Sequence, residues 1–162
     1  MKLLYTILYA LFIGQAFFFI GLVLPRSKFC EDKFPYKLYA WEKNGKFYNR
    51  YRIKKWKEKV PDMSKLSRKL YTKKIHKLTP DSIDRLVKES CVAEFVHYLL
   101  SISSLGIYEI WNNVTGIYLT IIYILGNIPF IMIQRYNRPN LIALREKLKL
   151  RKESQLRAPS ND

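Results

Sequence analysis

The stretch ESCVAEFVHYLL, residues 89–100, decides the fold because it sets an acid and an imidazole within an apolar segment. This segment runs from about Cys91 to Ile110, which is close to the length that a helix needs to cross a bilayer. An ionisable group there costs roughly 2.5 to 3.5 kcal/mol, so by default it faces the protein interior or a wet cavity and marks a function. Glu94 and His97 are therefore the first candidates for catalytic residues.

These two side chains are expected to be neighbours. They are three residues apart, and that spacing places them on one face of a helix. The pair is predicted to lie on the packed face rather than towards lipid, with a buried structural pair that fixes the helix register as the alternative to a catalytic pair. The same face continues towards the N-terminus at helical spacing through Ile83, Leu86, Val87, Ser90 and Cys91.

Two further apolar segments complete the predicted membrane part. The segments Leu3 to Leu24 and Val114 to Ile133 contain no charged residue, and each is long enough to span the hydrocarbon core. For the first we favour an uncleaved anchor over a secretory signal, because the apolar run exceeds a usual signal core and no A-x-A site follows. The turn residues Trp111-Asn112-Asn113 join the second and third segments into a helical hairpin.

The positive charges are separated from the apolar segments. The chain of 162 residues has 29 Lys and Arg, a net charge of +16 and 49% hydrophobic residues. Nearly all Lys and Arg lie between Leu24 and Cys91 or after Ile133, whereas the hairpin tip contains Glu109 and neither basic type. The positive-inside rule predicts a cytoplasmic loop and tail, with the N-terminus and the tip outside. No nucleic-acid partner is predicted, since no nucleic-acid motif accompanies the charge.

The predicted fold class is an all-α integral membrane protein with about three transmembrane helices, a basic, aromatic-rich cytoplasmic loop and a C-terminal interfacial helix. The whole chain, residues 1–162, forms a single domain in the cell membrane. Aromatic rings alternate with Lys and Arg in the loop, which suits the headgroup layer. The parts are the anchor 1–24, the basic cytoplasmic or interfacial region 25–90, the transmembrane hairpin 91–134 and the basic interfacial tail 135–162.

Local signals predict where helices begin and end. A helix is expected from Phe47 to Lys59, stopped by Pro61. The sequence Thr79-Pro80-Asp81 indicates a helix start, with a cap, a proline at the first helical position and an acid in the first turn. Pro139 is expected to begin a new helix after the third span, so that the leucines beyond it form a separate interfacial helix. Residues 158–162 are expected to be disordered.

The third apolar segment has an inward face of its own, in which Pro129 should bend the helix. Ordinary small-residue packing would explain the N-terminal part of this face but not the polar cluster at its other end. In an antiparallel hairpin, that cluster should lie at the same depth as Glu94 and His97. The face consists of Gly116, Thr120, Tyr123, Asn127 and Gln134, with Arg138 one turn beyond.

Four phrases of the sequence resemble one known family. The resemblance covers residues 40–141 and identifies the chain as similar to the glycosyl-4,4'-diaponeurosporenoate acyltransferases. The chain departs from the family pattern at Tyr98, where Trp is expected, and at Asn140, where Arg is expected. The phrases are Glu42-Lys43-Asn44-Gly45-Lys46-Phe47-Tyr48, Ile53-Lys54-Lys55-Trp56-Lys57, Ala93-Glu94-Phe95-Val96-His97 and Gln134-Arg135-Tyr136-Asn137-Arg138-Pro139.

The resemblance implies transfer of a fatty acyl chain to the glucose 6-hydroxyl of a glycosylated C30 carotenoid, the last step of staphyloxanthin-type carotenoid biosynthesis. We therefore predict a membrane acyltransferase that esterifies a sugar hydroxyl of a glycolipid or glycosylated carotenoid. Its partners would be the lipid bilayer, a lipid-linked sugar acceptor and a cytoplasmic thioester donor, acyl-CoA or acyl carrier protein, which the basic loop would attract. The alternative is a non-catalytic membrane subunit or lipid-binding module.

Acyl transfer to a hydroxyl requires a base and a donor for the oxyanion. His97 can be the base, with Glu94 orienting its ring as the acid of a hydrolase triad does. Direct transfer is favoured because no Ser or Cys is obviously placed as a nucleophile, although Cys91 lies near the same face. Asn127, Gln134 or Arg138 could donate to the oxyanion. The predicted substrate-binding residues are Asn127, Gln134, Arg135, Tyr136, Asn137, Arg138, Trp56 and Lys57.

Neither a metal site nor a bound cofactor is predicted. Glu-x-x-His is also the helix signature of di-iron carboxylate proteins, but those sites use two copies of the motif and two further carboxylates. This chain has one copy, and His76 is its other histidine. The thioester donor is the expected co-substrate. Cys30 and Cys91 are predicted to be free thiols, because two cysteines do not make a disulfide framework.

Overall fold

The computed structural model describes residues 1–57, 59 and 79–157, and these form helices and irregular segments without strands. The predicted stop at Pro61, His76 and the C-terminal residues 158–162 lie outside the described residues. Three 3-10 helices, Arg26–Lys28, Ala40–Glu42 and Lys46–Tyr51, connect the first two α-helices. The α-helices of the described part are α1, Lys2–Val23; α2, Ile53–Trp56; α3, Pro80–Ser103; α4, Leu105–Trp111; and α5, Val114–Arg157.

The first helix is tied to the hairpin at both of its ends. Near its start, Trp111 Nε1 donates to Thr6 Oγ1 over 2.8 Å. Beyond its end, Arg26 donates two hydrogen bonds of 2.9 Å to the Glu89 carboxylate on α3. A bidentate pair of this kind fixes the orientation of both side chains as well as their distance. Helix α1 therefore packs along α3 and α4 as part of the fold.

The predicted helix start at Thr79 and the predicted hairpin turn are both confirmed. Thr79 Oγ1 accepts from the Ser82 N–H and Ser82 Oγ accepts from the Thr79 N–H, a capping box that satisfies two N–H groups at the start of α3. Asn112 has a left-handed φ of 49° and forms the turn between α4 and α5. The second segment is interrupted at Ser104, which separates α3 from α4.

The third segment and the basic tail form one helix, which corrects the predicted restart at Pro139. Helix α5 runs for 44 residues and includes both Pro129 and Pro139. A proline inside a helix removes one hydrogen bond, but contacts on both sides of Pro139 hold the helix direction. Arg138 is bound to α3, and Arg145 Nη1 lies 2.7 Å from Glu31 and 2.6 Å from Asp84. The boundary predicted between residues 134 and 135 thus falls inside a continuous helix, and the division into a transmembrane part and an interfacial tail stays a prediction.

The loop between α1 and α2 is irregular, and the predicted helix from Phe47 to Lys59 is wrong. A 3-10 helix ends at Tyr51, Arg52 takes a left-handed φ of 51°, and α2 begins only at Ile53. Gly45, with φ 81°, lets this loop approach α5, because a Cβ there would lie 3.2 Å from the Tyr136 carbonyl oxygen. Packing against α5 overrides the local helical preference of the loop sequence.

Within the described residues, three helical units are long and apolar enough to cross a membrane: α1, the joined α3 and α4, and α5. Their outer faces carry large apolar side chains with high exposed fractions, such as Phe12 at 69% and Ile122 at 64%. A contiguous apolar surface of this kind marks contact with lipid or with another protein. The prediction of an all-helical chain with three apolar helices is confirmed, whereas the orientation in the membrane stays a prediction.

The ends of the hairpin provide a test of the three-span topology. Glu109 lies near the hairpin tip and Lys46 in the loop at the opposite end, and both are exposed. In a Cys30→Ser protein, we expect Glu109→Cys to react with an impermeant maleimide on intact cells and Lys46→Cys only after permeabilisation. Reaction of both cysteines from the same side would rule out three crossings.

Candidate active site

Two glutamates and two arginines form a buried network between the loop, α3 and α5. They alternate in the order Glu42, Arg135, Glu94 and Arg138, and each is at most 5% exposed. Two negative and two positive charges cancel, so the network as a whole is neutral. Because a buried charge is costly unless it is paired and hydrogen-bonded, each member depends on the other three.

Arg135 uses all five of its N–H groups. Its Nε and Nη2 donate to the two carboxylate oxygens of Glu42 at 2.6 Å each, and its Nη1 donates to Glu94 Oε1, also at 2.6 Å. The remaining two N–H groups reach the carbonyl oxygens of Pro35 and Lys37, both at 3.0 Å. The guanidinium thus joins the loop to α3 and keeps no N–H group for a substrate.

Arg138 binds the same two parts of the chain deeper in the interface. It donates to Ser90 Oγ at 2.9 Å, to the Tyr36 carbonyl at 2.7 Å and to the Glu94 carboxylate. Its exposed fraction of 0% leaves no surface for a ligand. Contact of Arg135 and Arg138 with substrate stays a prediction, and their geometry favours a role in positioning the loop.

Glu42 is held as a carboxylate by its neighbours. Burial alone would raise its pKa, but hydrogen bonds from Arg135, from the Tyr48 hydroxyl and from the Tyr39 N–H together lower the pKa below the usual 4.5. Burial and the contact with Glu42 raise the pKa of Tyr48, which stays a neutral donor. Four donors thus satisfy the two Glu42 oxygens, two from the loop itself and two from Arg135 on α5.

The His97 ring lies between α3 and α5, against an amide and an aromatic ring. Its Nδ1 is 2.9 Å from Asn127 Oδ1, and it stacks on Phe130 with the ring centroids 4.6 Å apart. Asn127 Nδ2 donates to the Tyr123 carbonyl at 2.9 Å, and since a carbonyl only accepts, Oδ1 must be the atom that faces His97. In the neutral ring Nδ1 therefore carries the hydrogen, and Nε2 has the lone pair.

Gln134 shares the face of α5 that carries Asn127. It follows Phe130 by one helical turn and precedes Arg138 by one turn, at the spacing that keeps side chains on one side. The residue is 5% exposed, and no hydrogen bond within the described part of the chain involves its amide. Since no fully buried side-chain nitrogen or oxygen of the described residues lacks a hydrogen-bond partner, the Gln134 amide keeps some accessible surface, and a ligand can bind it there.

Four of the predicted substrate-binding residues meet in a second cluster. Lys57 Nζ lies 2.9 Å from Asn137 Oδ1 and 5.1 Å from the centroid of the Tyr136 ring. Trp56 packs with Tyr136 against the apolar group that includes Ile53. The phrases at 53–57 and 134–139 are thus brought together at the end of α2, on the side of α5 that the loop covers.

A cavity of about 870 Å³ lies between the loop and the hairpin. One wall comes from the loop and the other from α3 and α5, and Arg135 is its one charged lining residue. His97 is not among the residues that line it. The loop residues are Phe34, Pro35, Tyr36, Tyr39, Trp41, Phe47, Tyr48 and Tyr51; the helix residues are Phe95, Tyr98, Leu99, Ser101, Ile102, Ile128, Ile131, Met132 and Arg135.

The structure places the predicted residues in two arrangements that the sequence did not separate. His97 meets Asn127, as the equal depth of the two helices suggested, but the group at its Nδ1 is this amide rather than Glu94. The hydrogen bonds of the Glu94 carboxylate come instead from Arg135, Arg138 and the Tyr98 hydroxyl, the last at 2.7 Å. The catalytic assignment of Glu94 and His97 stays a prediction.

One member of the buried network, Glu42, and the tyrosine that donates to it, Tyr48, were missed as site residues. Glu42 and Tyr48 bound the first of the four family-like phrases, yet neither was given a role. The available signal was the single acid of that phrase, set among lysines and aromatic rings. Nothing in the sequence indicates that Glu42 would pair with an arginine 93 positions further along.

Comparison with known proteins agrees with the family-like phrases. A family model for glycosyl-4,4'-diaponeurosporenoate acyltransferases matches residues 32–147. The chain belongs to this family. Curated members of that name from Staphylococcus aureus strains MRSA252 and bovine RF122 are 34% and 33% identical over 137 residues. In each case the match covers 83% of this chain and 82% of the relative. No solved structure matches the chain.

Family membership makes the chain an acyltransferase, an enzyme rather than a non-catalytic subunit. The family match includes both arrangements described above, since it extends from before Glu42 to beyond Arg138. The buried network and the His97 site are thus elements of an acyltransferase domain.

The buried network predicts a large effect of Glu94 on stability. Glu94→Leu leaves two buried guanidinium groups short of a carboxylate, so the free energy of unfolding in detergent should fall by about 3–5 kcal/mol. The matched control is Glu146→Leu, which removes an exposed carboxylate from ion pairs with Arg145 and Lys149 and should change stability little. Equal melting temperatures for the two variants would contradict the structural importance of the network.

Proposed function

We propose that the protein transfers a fatty acyl chain from a thioester donor to a sugar hydroxyl of a lipid-linked acceptor, with His97 as general base. The observation that carries this proposal is the hydrogen bond of His97 Nδ1 to Asn127, which holds the neutral ring in the tautomer with its lone pair on Nε2. The name of the relatives describes acyl transfer to a glycosylated diaponeurosporenoate. A glycosylated carotenoid or similar glycolipid is thus the acceptor class that we propose.

The proposed reaction is a direct transfer. Nε2 of His97 removes the proton of the sugar hydroxyl while that oxygen attacks the thioester carbonyl. The new carbon–oxygen bond gives a tetrahedral oxyanion, to which the Gln134 amide donates. The carbon–sulfur bond then breaks, the imidazolium returns the proton to the leaving sulfur, and the products are an ester and a thiol.

Glu94 has a supporting role in this mechanism. Its hydrogen bonds hold Arg135 and Arg138, and these hold the loop against α3 three residues before His97. Asn127 takes the orienting role that a carboxylate has in a hydrolase triad, and it does so without a negative charge. This division explains why an acid and a histidine can be neighbours in sequence and still belong to different arrangements.

The donor and the membrane orientation complete the proposal. We place the loop and the C-terminal end of α5 on the cytoplasmic side, where the lysines and arginines of the loop face acyl-CoA or acyl carrier protein. Lys54 and Lys55 are exposed on α2, next to the cluster of Trp56, Lys57, Tyr136 and Asn137. The C-terminal half of α5 would lie at the inner surface of the membrane.

Three variants test the His97 site. His97→Ala should remove most turnover, Asn127→Leu should lower kcat strongly because the ring loses its fixed tautomer, and Gln134→Leu should lower kcat by about 10²–10³. His97→Ala/Asn127→Leu should be little worse than His97→Ala, because residues that act as a unit are not additive. The measurement is ester formation in detergent with purified donor and acceptor.

Stability separates catalysis from folding in this experiment. Each variant should keep most of the wild-type melting temperature, whereas Glu94→Leu, which acts through the buried network, should not. A folded His97→Ala protein with near-normal turnover would exclude His97 as the base. The same result for Gln134→Leu would exclude Gln134 as the oxyanion donor.

The proposed donor site predicts a charge effect on binding. Lys54→Gln/Lys55→Gln should raise the KM for acyl-CoA and weaken its salt dependence, with little change in kcat. The control is Lys149→Gln/Lys152→Gln, which removes the same charge from the tail. An equal effect of both pairs would mean that net charge matters and that α2 is not the donor site.

A further inference from the structure

The cavity between the loop and the hairpin has the chemistry of a site for an apolar chain. Of its lining side chains, most are aromatic or aliphatic, and the volume of about 870 Å³ lies within the usual range for small-molecule sites. The cavity offers no charged group to a charged ligand, because all N–H groups of Arg135 already donate to Glu42, Glu94 and two backbone carbonyls. The occupant must therefore be uncharged along the part that enters.

The lining also indicates where such a chain enters. Ile102 on α3 and Ile128 on α5 line the cavity and are 64% and 41% exposed, on helices that are apolar enough to cross a membrane. Phe34, at 83%, is the most exposed side chain on the loop wall. A lipid chain could thus pass from the hydrocarbon between these residues without crossing water.

Both walls of the cavity are held in place by groups already described. The loop wall is fixed through Glu42 to Arg135 and through the Tyr36 carbonyl to Arg138. Tyr48 and Tyr98 direct their hydroxyls to Glu42 and Glu94, so their rings present apolar faces. The network therefore shapes a rigid, apolar cavity and needs no contact with the substrate to do so.

We propose that this cavity binds the apolar chain of one lipid substrate and sets the chain length that the enzyme accepts. The inference deepens the proposed function, because the bound chain belongs either to the acyl donor or to the acceptor. His97 is not a lining residue, so the chain is held apart from the reacting atoms and only its polar end reaches them. Chain selection and proton transfer thus use different sides of the α3–α5 pair.

Filling the cavity gives a direct test. Leu99→Phe/Ile131→Phe adds two rings inside it, whereas Ile122→Phe/Leu125→Phe adds the same rings to exposed positions of α5 that do not line it. Trp41 lines the cavity, so a protein with Trp56→Phe and Trp111→Phe reports on it through its single tryptophan. Dibrominated stearic acid should quench Trp41 in this protein and in the exposed-ring control, and roughly tenfold more acid should be needed in the filled variant.

Activity measurements then show whether the apolar chain in the cavity belongs to the acyl donor or to the acceptor. With a mixture of acyl donors, a shift of the ester products to shorter acyl chains in the filled variant alone assigns the cavity to the donor. An unchanged acyl profile with loss of long-chain but not short-chain glycoside acceptors assigns it to the acceptor. Equal quenching and equal product profiles in folded filled and control variants would overturn the inference.

The two proposals fail in different ways. If the wild-type protein forms no ester but the quenching difference persists, the proposed reaction is wrong and the cavity still binds an apolar chain. If ester forms at the same rate and with the same products in all three proteins, and quenching is also equal, the reaction stands and the cavity is not its chain site.

Discussion

The fold depends on the pairing of Arg135 with Glu42 and Glu94. A guanidinium in an apolar interface is tolerated only because two carboxylates and two backbone carbonyls use every one of its N–H groups. The same contacts bind a loop that has little regular structure of its own to the helical hairpin. The bond from Arg138 to the Tyr36 carbonyl and the apolar packing of Tyr48 with Ile133 add to this attachment.

This constraint divides the interface into two environments. On the loop side, the network stays neutral and the tyrosine hydroxyls point to carboxylates, which leaves an apolar cavity. His97, Asn127 and Gln134 lie elsewhere in the interface, where one imidazole nitrogen and one amide are directed to the chemistry that we propose. An acyltransferase has to bring a long apolar chain and a polar hydroxyl together, and this separation suits that task.

The continuous α5 helix connects both environments. Its residues supply the Asn127 amide beside His97, then both arginines of the network, then Arg145 against Glu31 and Asp84. A break at Pro139 would uncouple the last of these contacts from the others. Tertiary ion pairs on each side of the proline thus outweigh the loss of one helical hydrogen bond.

The sequence by itself determined the three apolar helices, the capped start at Thr79 and the turn at Asn112, and it named residues 94, 97, 127, 134 and 138 as site candidates. Hydrophobic length and helical spacing are local properties, and they can be read without tertiary contacts. Only the tertiary structure decided which of these side chains pair with one another. Glu94 and His97 share a helix face, but the rotation of α5 against α3 decides their partners. It places the arginines within hydrogen-bond distance of Glu94, and Asn127 within hydrogen-bond distance of His97. Glu42 and Arg135 are 93 positions apart, and only the folded loop brings them together, because packing rather than local preference sets its path.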